Sequence, residues 1–578
     1  MSQPEAEPTR PASYLVADCG STLTTVLLFE VVADRYRLVG RASAPTTIAA
    51  PWSNLLHGLH EAIERLTEIT GRQFLSGNRL IRPEKENKSG VDHFLMVVSA
   101  APPLRTIVVG LSDEVSLTSA RHVLHTVYAD EVDIFSLGDT RGEDEQARAI
   151  VRQEPDLIFL VGGTDGGADL RLQSFARTVS LAVNMHAYAR QIPVLYAGNK
   201  NQREQIRQIM GDDATLYVAD NVRPTLQAEK LDDASRVMGE LYERLRLREL
   251  PGLNQVAAWM DQPPLPTARA FATITRYFAA LYKGQVLGLE LGTESATLVL
   301  ANADEANLVI RSDLGMGHAM ANLLRRTHPA AIARWLPTET SHETIRDFIH
   351  NKSLFPQTLP MTEQELQLEH AIARELLRCA SADTALDWQT GERPPLPFRL
   401  ILARGHVFAH APRPGQVIAM ILDALQPVGI FAVLLDKVGV LPALGALSGP
   451  QPLAVVQALE SKVLTDLGWV VVPSGSAQPG QPALRIRIEA ENQTQYEGVV
   501  DYGTLEVFPL APGRSQVTLT PTRQFDVGFG RGKGKTVTLA GGGMGLVVDA
   551  RGRPLRLPQD DIARRSLVQQ WLYDIGGT

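Results

Sequence analysis

Two short stretches, far apart in the chain, repeat one scheme and restrict the fold more than any other feature. In the first, the run Val16-Ala17-Asp18-Cys19-Gly20-Ser21-Thr22-Leu23-Thr24-Thr25 leads into Val26-Leu27-Leu28-Phe29-Glu30. It reads as an apolar strand ending in Asp, a tight Gly-hydroxyl turn and a second strand. Such a hairpin presents the Asp18 carboxylate toward Mg²⁺ and offers Gly20, Ser21, Thr22 and Thr24, with their amides, to phosphate. The same residues also suit an ordinary turn. In the second stretch, Val286-Leu287-Gly288-Leu289-Glu290-Leu291-Gly292-Thr293-Glu294-Ser295-Ala296-Thr297-Leu298-Val299-Leu300 repeats strand, acid, turn and strand. A repeat of this kind implies two related lobes, each contributing one hairpin.

The chain has 578 residues, enough for three to four domains at roughly 150 residues each. A formal net charge of −8 without a basic stripe makes nucleic acid a poor partner. Cys19 and Cys379 are the only cysteines, too few for a disulfide framework or a cysteine metal cluster. The polar start, residues 1–12, reads as a disordered tail without the apolar core of a signal peptide. No apolar run reaches the roughly 18 residues that span a bilayer. The expected location is a reducing cytoplasm.

Paired hairpins of this type are how actin, the Hsp70 ATPase domain and the sugar kinases clamp a nucleotide, so the expected fold class is α/β. Its architecture is two-lobed and actin-like, with an inserted doubly wound α/β module and a C-terminal all-β domain. The expected boundaries are 13–283 for the first lobe, including the α/β module at about 105–250, then 284–450 for the second lobe and 451–578 for the β-rich end. Leu55–Thr70 has helical spacing. Strands alternate with helices from Thr106 to Ala219, and a Pro-rich surface loop is expected at 390–398. Inside the module, Gly162-Gly163-Thr164-Asp165-Gly166-Gly167 closes a buried strand, either as a ligand loop or as a turn needing glycine geometry. Gly138-Asp139-Thr140 closes the strand before it in the same way. Phe529-Gly530-Arg531-Gly532-Lys533-Gly534-Lys535-Thr536 imitates a phosphate-binding loop, but Phe529 stands where that loop needs Gly and a strand follows where a helix must start. It reads as a basic β-turn.

With these blocks in place, the chain resembles the accessory-protein family of B12-dependent glutamate mutase, the GlmL or MutL type. The carriers are Asp18-Cys19-Gly20-Ser21-Thr22, Ser99-Ala100-Ala101, Gly162 to Gly167, Tyr196-Ala197-Gly198-Asn199, Asp220-Asn221-Val222-Arg223-Pro224, the second hairpin, Asp313-Leu314-Gly315 and Val547 to Pro554. The resemblance implies an actin-like ATPase of the reactivating-chaperone kind, using ATP and Mg²⁺ to pry damaged cobalamin from a client mutase. The chain itself has no Asp-x-His-x-x-Gly run with which a mutase would ligate cobalt. Three departures stand out: Glu290 and Glu294 in the second hairpin, Pro102-Pro103 where a Gly pair is expected, and Ala403-Arg404-Gly405-His406 in place of a Gly-rich turn at the adenosine strand.

The expected site follows from these readings. Asp18 holds Mg²⁺ through water. Gly20, Ser21, Thr22 and Thr24 bind phosphate from one side, Gly292, Thr293 and Ser295 do so from the other, and Glu290 reaches Mg²⁺ through water. Gly405 approaches the adenosine, and Asp139 or Asp165 orients the attacking water. Two other readings stand beside this one: a non-hydrolysing actin-like scaffold, and a small-molecule kinase.

Overall fold

The computed structural model describes residues 12–167, 169–186, 191–211, 214–382, 384, 398–491 and 494–577. The expected tail at 1–12 lies outside the described residues except for Ala12, and the expected loop at 390–398 does so except for Phe398. The chain divides into two compact units. One comprises Met1–Ala100, Asn254–Leu308 and Leu314–Thr578, the other Ala101–Leu253 and Val309–Asp313.

In the first unit a five-stranded sheet runs in the order Leu265–Pro266, His93–Val98, Tyr14–Cys19, Leu23–Val32 and Arg35–Pro45. Tyr14–Cys19, Leu23–Val32 and Arg35–Pro45 form an antiparallel meander, while His93–Val98 lies parallel to Tyr14–Cys19. The first five strands of an eight-stranded sheet repeat this order from the opposite end: Ala306–Arg311, Ala296–Ala301, Gln285–Leu291, Phe398–Gly405, Gly429–Asp436. Again the hairpin is antiparallel and the next two pairings are parallel. One topology built twice, with a helix leaving the strand that comes fifth along the chain each time, Leu265–Pro266 and Gly429–Asp436, is the actin-like fold that the repeated hairpins predict.

Local chemistry explains the elements. All six residues of Tyr14–Cys19 are buried, as suits a strand covered on both faces. Helix Leu55–Thr70 starts where Asn54 accepts a hydrogen bond from Leu56 N and stops at Gly71, whose φ of +69° is left-handed. The helices after the two fifth strands, Thr267–Tyr282 and Leu441–Leu447, meet in one apolar core with residues from both sheets, among them Val16, Leu95, Val286 and Leu400. Their backbones touch at Gly445, where a Cβ would lie 1.9 Å from the carbonyl oxygen of Ala270.

The region from 451 onward is β-rich, but it is not confined to a sheet of its own. Thr465–Val472, Leu546–Asp549 and Leu505–Phe508 continue the eight-stranded sheet, covering the edge that Gly429–Asp436 would otherwise leave open. Pro482–Ala490, Gln495–Asp501, Arg514–Pro521 and Lys535–Ala540 form a separate four-stranded antiparallel sheet. The imitation phosphate loop is a turn with Gly532 at φ +67°, followed by the strand Lys535–Ala540. A buried ion network anchors this region. Arg551 pairs with Asp549 at 2.8 Å and with Asp423 at 2.9 Å, Arg374 meets Asp423 at 2.8 Å, and Arg553 meets Asp549 at 2.6 Å.

The second unit holds five parallel strands ordered Leu216–Val218, Val194–Tyr196, Leu157–Leu160, Leu104–Val109 and Ala129–Phe135, the doubly wound arrangement expected of the alternating pattern. Among the described residues, no helix is long and apolar enough to cross a membrane.

Two outcomes follow from packing and charge. Gly445→Ala forces one helix backbone away from the other and should cost about 1–3 kcal/mol, read as a lower urea midpoint; an unchanged midpoint would contradict the close contact. Burial pushes the Asp549 carboxyl up, but Arg551 and Arg553 outweigh it and hold it well below the usual carboxylate range. The stability this gives is present above the unfolded value of about 4 and is lost as pH falls toward the folded value. Asp549→Asn should cost about 3 kcal/mol at pH 7 and flatten the acid limb of a stability-pH profile; an acid limb identical to that of the natural chain would refute the assignment.

Candidate functional site

The two hairpins face each other in the first unit, and their acids stand at equivalent positions. Asp18 is the fifth residue of Tyr14–Cys19 and pairs across the hairpin with Thr25; Glu290 pairs with Thr297. Between the acids lies a guanidinium. Nη2 of Arg404, on the strand Phe398–Gly405, stands 3.2 Å from Oδ2 of Asp18 and 3.5 Å from Oε1 of Glu290. Parallel pairing sets this up, because the register places Arg404 directly beside Glu290.

Further residues complete the arrangement. Thr267, the first residue of its helix, donates its hydroxyl to Oδ1 of Asp18 at 3.2 Å. Asp436, at the end of the neighbouring strand, adds a third negative charge, yet its oxygens accept from the amides of Val438, Gly439, Val440 and Leu441 at 2.8–3.2 Å. It thereby holds the turn that leads into the helix Leu441–Leu447 and satisfies that helix's first amide. Burial pushes the carboxyls of Asp18 and Glu290 up, and although the Arg404 charge opposes this, both stay raised above the ordinary carboxylate value. Arg404 itself is held charged by Glu290, Asp18 and Asp436 against the opposing effect of burial.

The hairpin tips are joined to each other. The hydroxyls of Thr22 and Thr293 share a hydrogen bond of 3.1 Å. The Gly20 amide donates to Leu23 O, and the Gly292 amide donates to Ser295 O, each at 2.9 Å. Thr24 is fully buried with its hydroxyl on that of Thr46, and Thr46 in turn donates to Gly20 O. Ser21 is half-buried in its turn. Carbonyls of the second tip hold the next loop, with Met316 N on Gly292 O and Gly317 N on Thr293 O. Glu294, raised by burial and opposed by His318, lies 3.9 Å from His318 Nε2. Gly405 has φ +115° and sits where a Cβ would fall 2.2 Å from Leu291 O, so its glycine serves the close approach of two strands.

Asp139 and Asp165 belong to the second unit and have local partners. Asp139 is raised by burial but lowered overall by its hydrogen bonds with Arg141, at 3.0 Å for both N–Oδ1 and Nε–Oδ1. Asp165, likewise raised by burial and lowered overall, accepts from Asn221 Nδ2 at 2.9 Å and from Lys200 N at 3.1 Å, with Lys200 Nζ at 3.2 Å. Gly162 and Gly163 take φ +127° and +72° beside Asn199 and Asn221, the geometry expected of a glycine-requiring turn.

A family model described as MutL protein matches residues 14–463. The chain belongs to the MutL protein family. No curated protein matches it. Among solved structures, this MutL-family chain is similar to (R)-2-hydroxyglutaryl-CoA dehydratase component A of Acidaminococcus fermentans, at 9% identity, 78% of this chain, 99% of that chain and a TM-score of 0.28. It is also similar to a diol dehydratase-reactivating factor in nucleotide-free form, at 10% identity, 78% and 99% coverage and a TM-score of 0.29. A third is gluconate kinase of Lactobacillus acidophilus, at 11% identity, 79% and 92% coverage and a TM-score of 0.31. Scores this low transfer no activity.

The Mg²⁺ implied by the family resemblance does not fit these residues. A divalent cation needs lone pairs, and both acids already face a guanidinium. What Arg404 holds in reserve is more N–H, since its Nε and Nη1 are buried without a hydrogen-bond partner among the described residues. Sequence reasoning marked Arg404 as a departure but did not find its role, and it missed Thr267 and Asp436. The available signal was an apolar strand ending in Asp436 before Val438-Gly439-Val440, an acid placed to accept from the amides of the turn that follows.

Thr267→Val keeps the shape and removes the hydroxyl that serves Asp18. A hydrogen bond to a charged group contributes about 1.5–3 kcal/mol, so urea unfolding at pH 7 should show a loss of about 2 kcal/mol; a loss below about 0.5 kcal/mol would rule out a strong bond to an ionised carboxylate.

Proposed function

We propose that this chain is an accessory protein of a B12-dependent enzyme, and that its client is a carbon-skeleton mutase such as glutamate mutase. The observation that carries this reading is membership of the MutL family over residues 14–463. Its proposed work is reactivation in the cytoplasm: binding a client that has trapped damaged cobalamin and loosening the client's hold on it. In this reading residues 13–283 and 284–450 act as the lobes of a clamp, and the β-rich end rides on the second lobe.

The geometry favours the non-hydrolysing form of this accessory role. Asp18 and Glu290 carry a guanidinium between them, and the Thr22 and Thr293 hydroxyls bind each other, so the groups expected to receive a metal and phosphates are engaged within the chain. Asp18, Gly20, Ser21, Thr22, Thr24, Glu290, Gly292, Thr293, Ser295 and Gly405 are accordingly proposed to join the lobes, and no chemical step is assigned to them or to Asp139 and Asp165.

The test uses glutamate mutase holoenzyme inactivated with its cobalamin in place. Mixing it with the full chain should produce a complex by gel filtration and a several-fold faster release of cobalamin, followed by absorbance of the filtrate. No complex and no acceleration would refute the accessory reading for this client class. Release that required both ATP and Mg²⁺ would overturn the non-hydrolysing form while keeping the accessory role.

A further inference from the structure

We propose that Arg404 is a resident cation, a guanidinium built into the chain at the place between the two hairpin acids where an actin-like fold would otherwise hold a divalent metal ion. The inference goes beyond the accessory reading and does not depend on the client.

The argument starts with charge. Asp18 and Glu290, each one residue from the end of its strand, and Asp436, the last residue of its own, lie on three strands of the two sheets and converge on one buried spot. Three carboxylates so placed repel one another strongly in a medium of low dielectric, and burial alone would drive protons onto them. Such a cluster persists in a folded chain when a cation neutralises it. Asp436 is answered by four backbone amides at the start of a helix. Asp18 and Glu290 are left to share a single positive charge, and Nη2 of Arg404 lies within 3.5 Å of both.

The position is built. Arg404 is 8% exposed, and its guanidinium lies 5.9 Å from the centre of the Phe271 ring, so the ring face of a core residue supports it. Gly405 follows, and its close contact with Leu291 O keeps the strand of Arg404 in register with the strand of Glu290. The orphaned Nε and Nη1 argue in the same direction. Their N–H groups would meet an incoming metal ion with positive charge, where a metal site would present oxygen. A guanidinium also differs from a metal ion in one functional respect: it cannot dissociate. The bridge between the lobes therefore does not respond to metal concentration or to chelation.

The experiment titrates full-length protein with Mn²⁺, following free Mn²⁺ by electron paramagnetic resonance, alongside thermal melts in EDTA and in millimolar Mg²⁺. For the natural chain the expected result is Mn²⁺ uptake no greater than that of Asp18→Asn, and a melting temperature that is the same in EDTA and in Mg²⁺. Arg404→Ala should melt several degrees lower in EDTA, take up one more Mn²⁺ than the natural chain, and regain stability with Mg²⁺. Adding Asp18→Asn to Arg404→Ala should abolish that uptake. Tight Mn²⁺ binding by the natural chain that disappears in Asp18→Asn would overturn the proposal. So would a folded Arg404→Ala that melts like the natural chain and takes up no metal. If Arg404→Ala does not fold, the comparison of the natural chain with Asp18→Asn decides the matter alone.

Discussion

A single buried guanidinium sets the conditions for the centre of this molecule. Arg404 meets Asp18 from the first sheet and Glu290 from the second, so one side chain crosses the junction between the two halves of the duplicated fold. Desolvating three charges is costly, and an ion pair in that setting is retained when its partners and geometry are fixed by the surrounding backbone. Here they are fixed by strand register, with Glu290 beside Arg404 in a parallel ladder and Asp18 on the equivalent strand of the other sheet. Thr267 and the amides around Asp436 supply the remaining polar partners from the starts of two helices.

Much of the architecture was legible in the sequence because it is written in local patterns. The two hairpins, the helix Leu55–Thr70 with its apolar spacing, and the alternating strands of the parallel unit each depend on a few adjacent residues. The extension of the eight-stranded sheet by Thr465–Val472, Leu546–Asp549 and Leu505–Phe508 was not, since strand pairing over such separations leaves no local signature. The region reads as β from its composition, and composition does not say which sheet receives each strand.

The site was legible in part for the same reason. Asp18, Thr22, Glu290 and Thr293 do come together, as the repeat implies. What they do when together depends on Arg404, which lies far along the chain and reads locally as no more than an unusual residue before Gly405. The hydroxyl of Thr24 turned inward to Thr46, and the glycine amides closed their own turns, because a polar group in a buried hairpin must find a partner close by. Asp139 and Asp165 sit at strand ends where acids often act on ligands, but neighbouring Arg141, Lys200 and Asn221 give each a full local shell.

The contact at Gly445 has a mechanical consequence. At Gly445 the backbone of the helix Leu441–Leu447 rests on the carbonyl of Ala270 in the helix Thr267–Tyr282, with no side chain between them at that point. The two halves of the duplicated fold are thus set at a distance fixed by main chain, which cannot change rotamer, so the separation of the sheets there is insensitive to side-chain repacking elsewhere in the core.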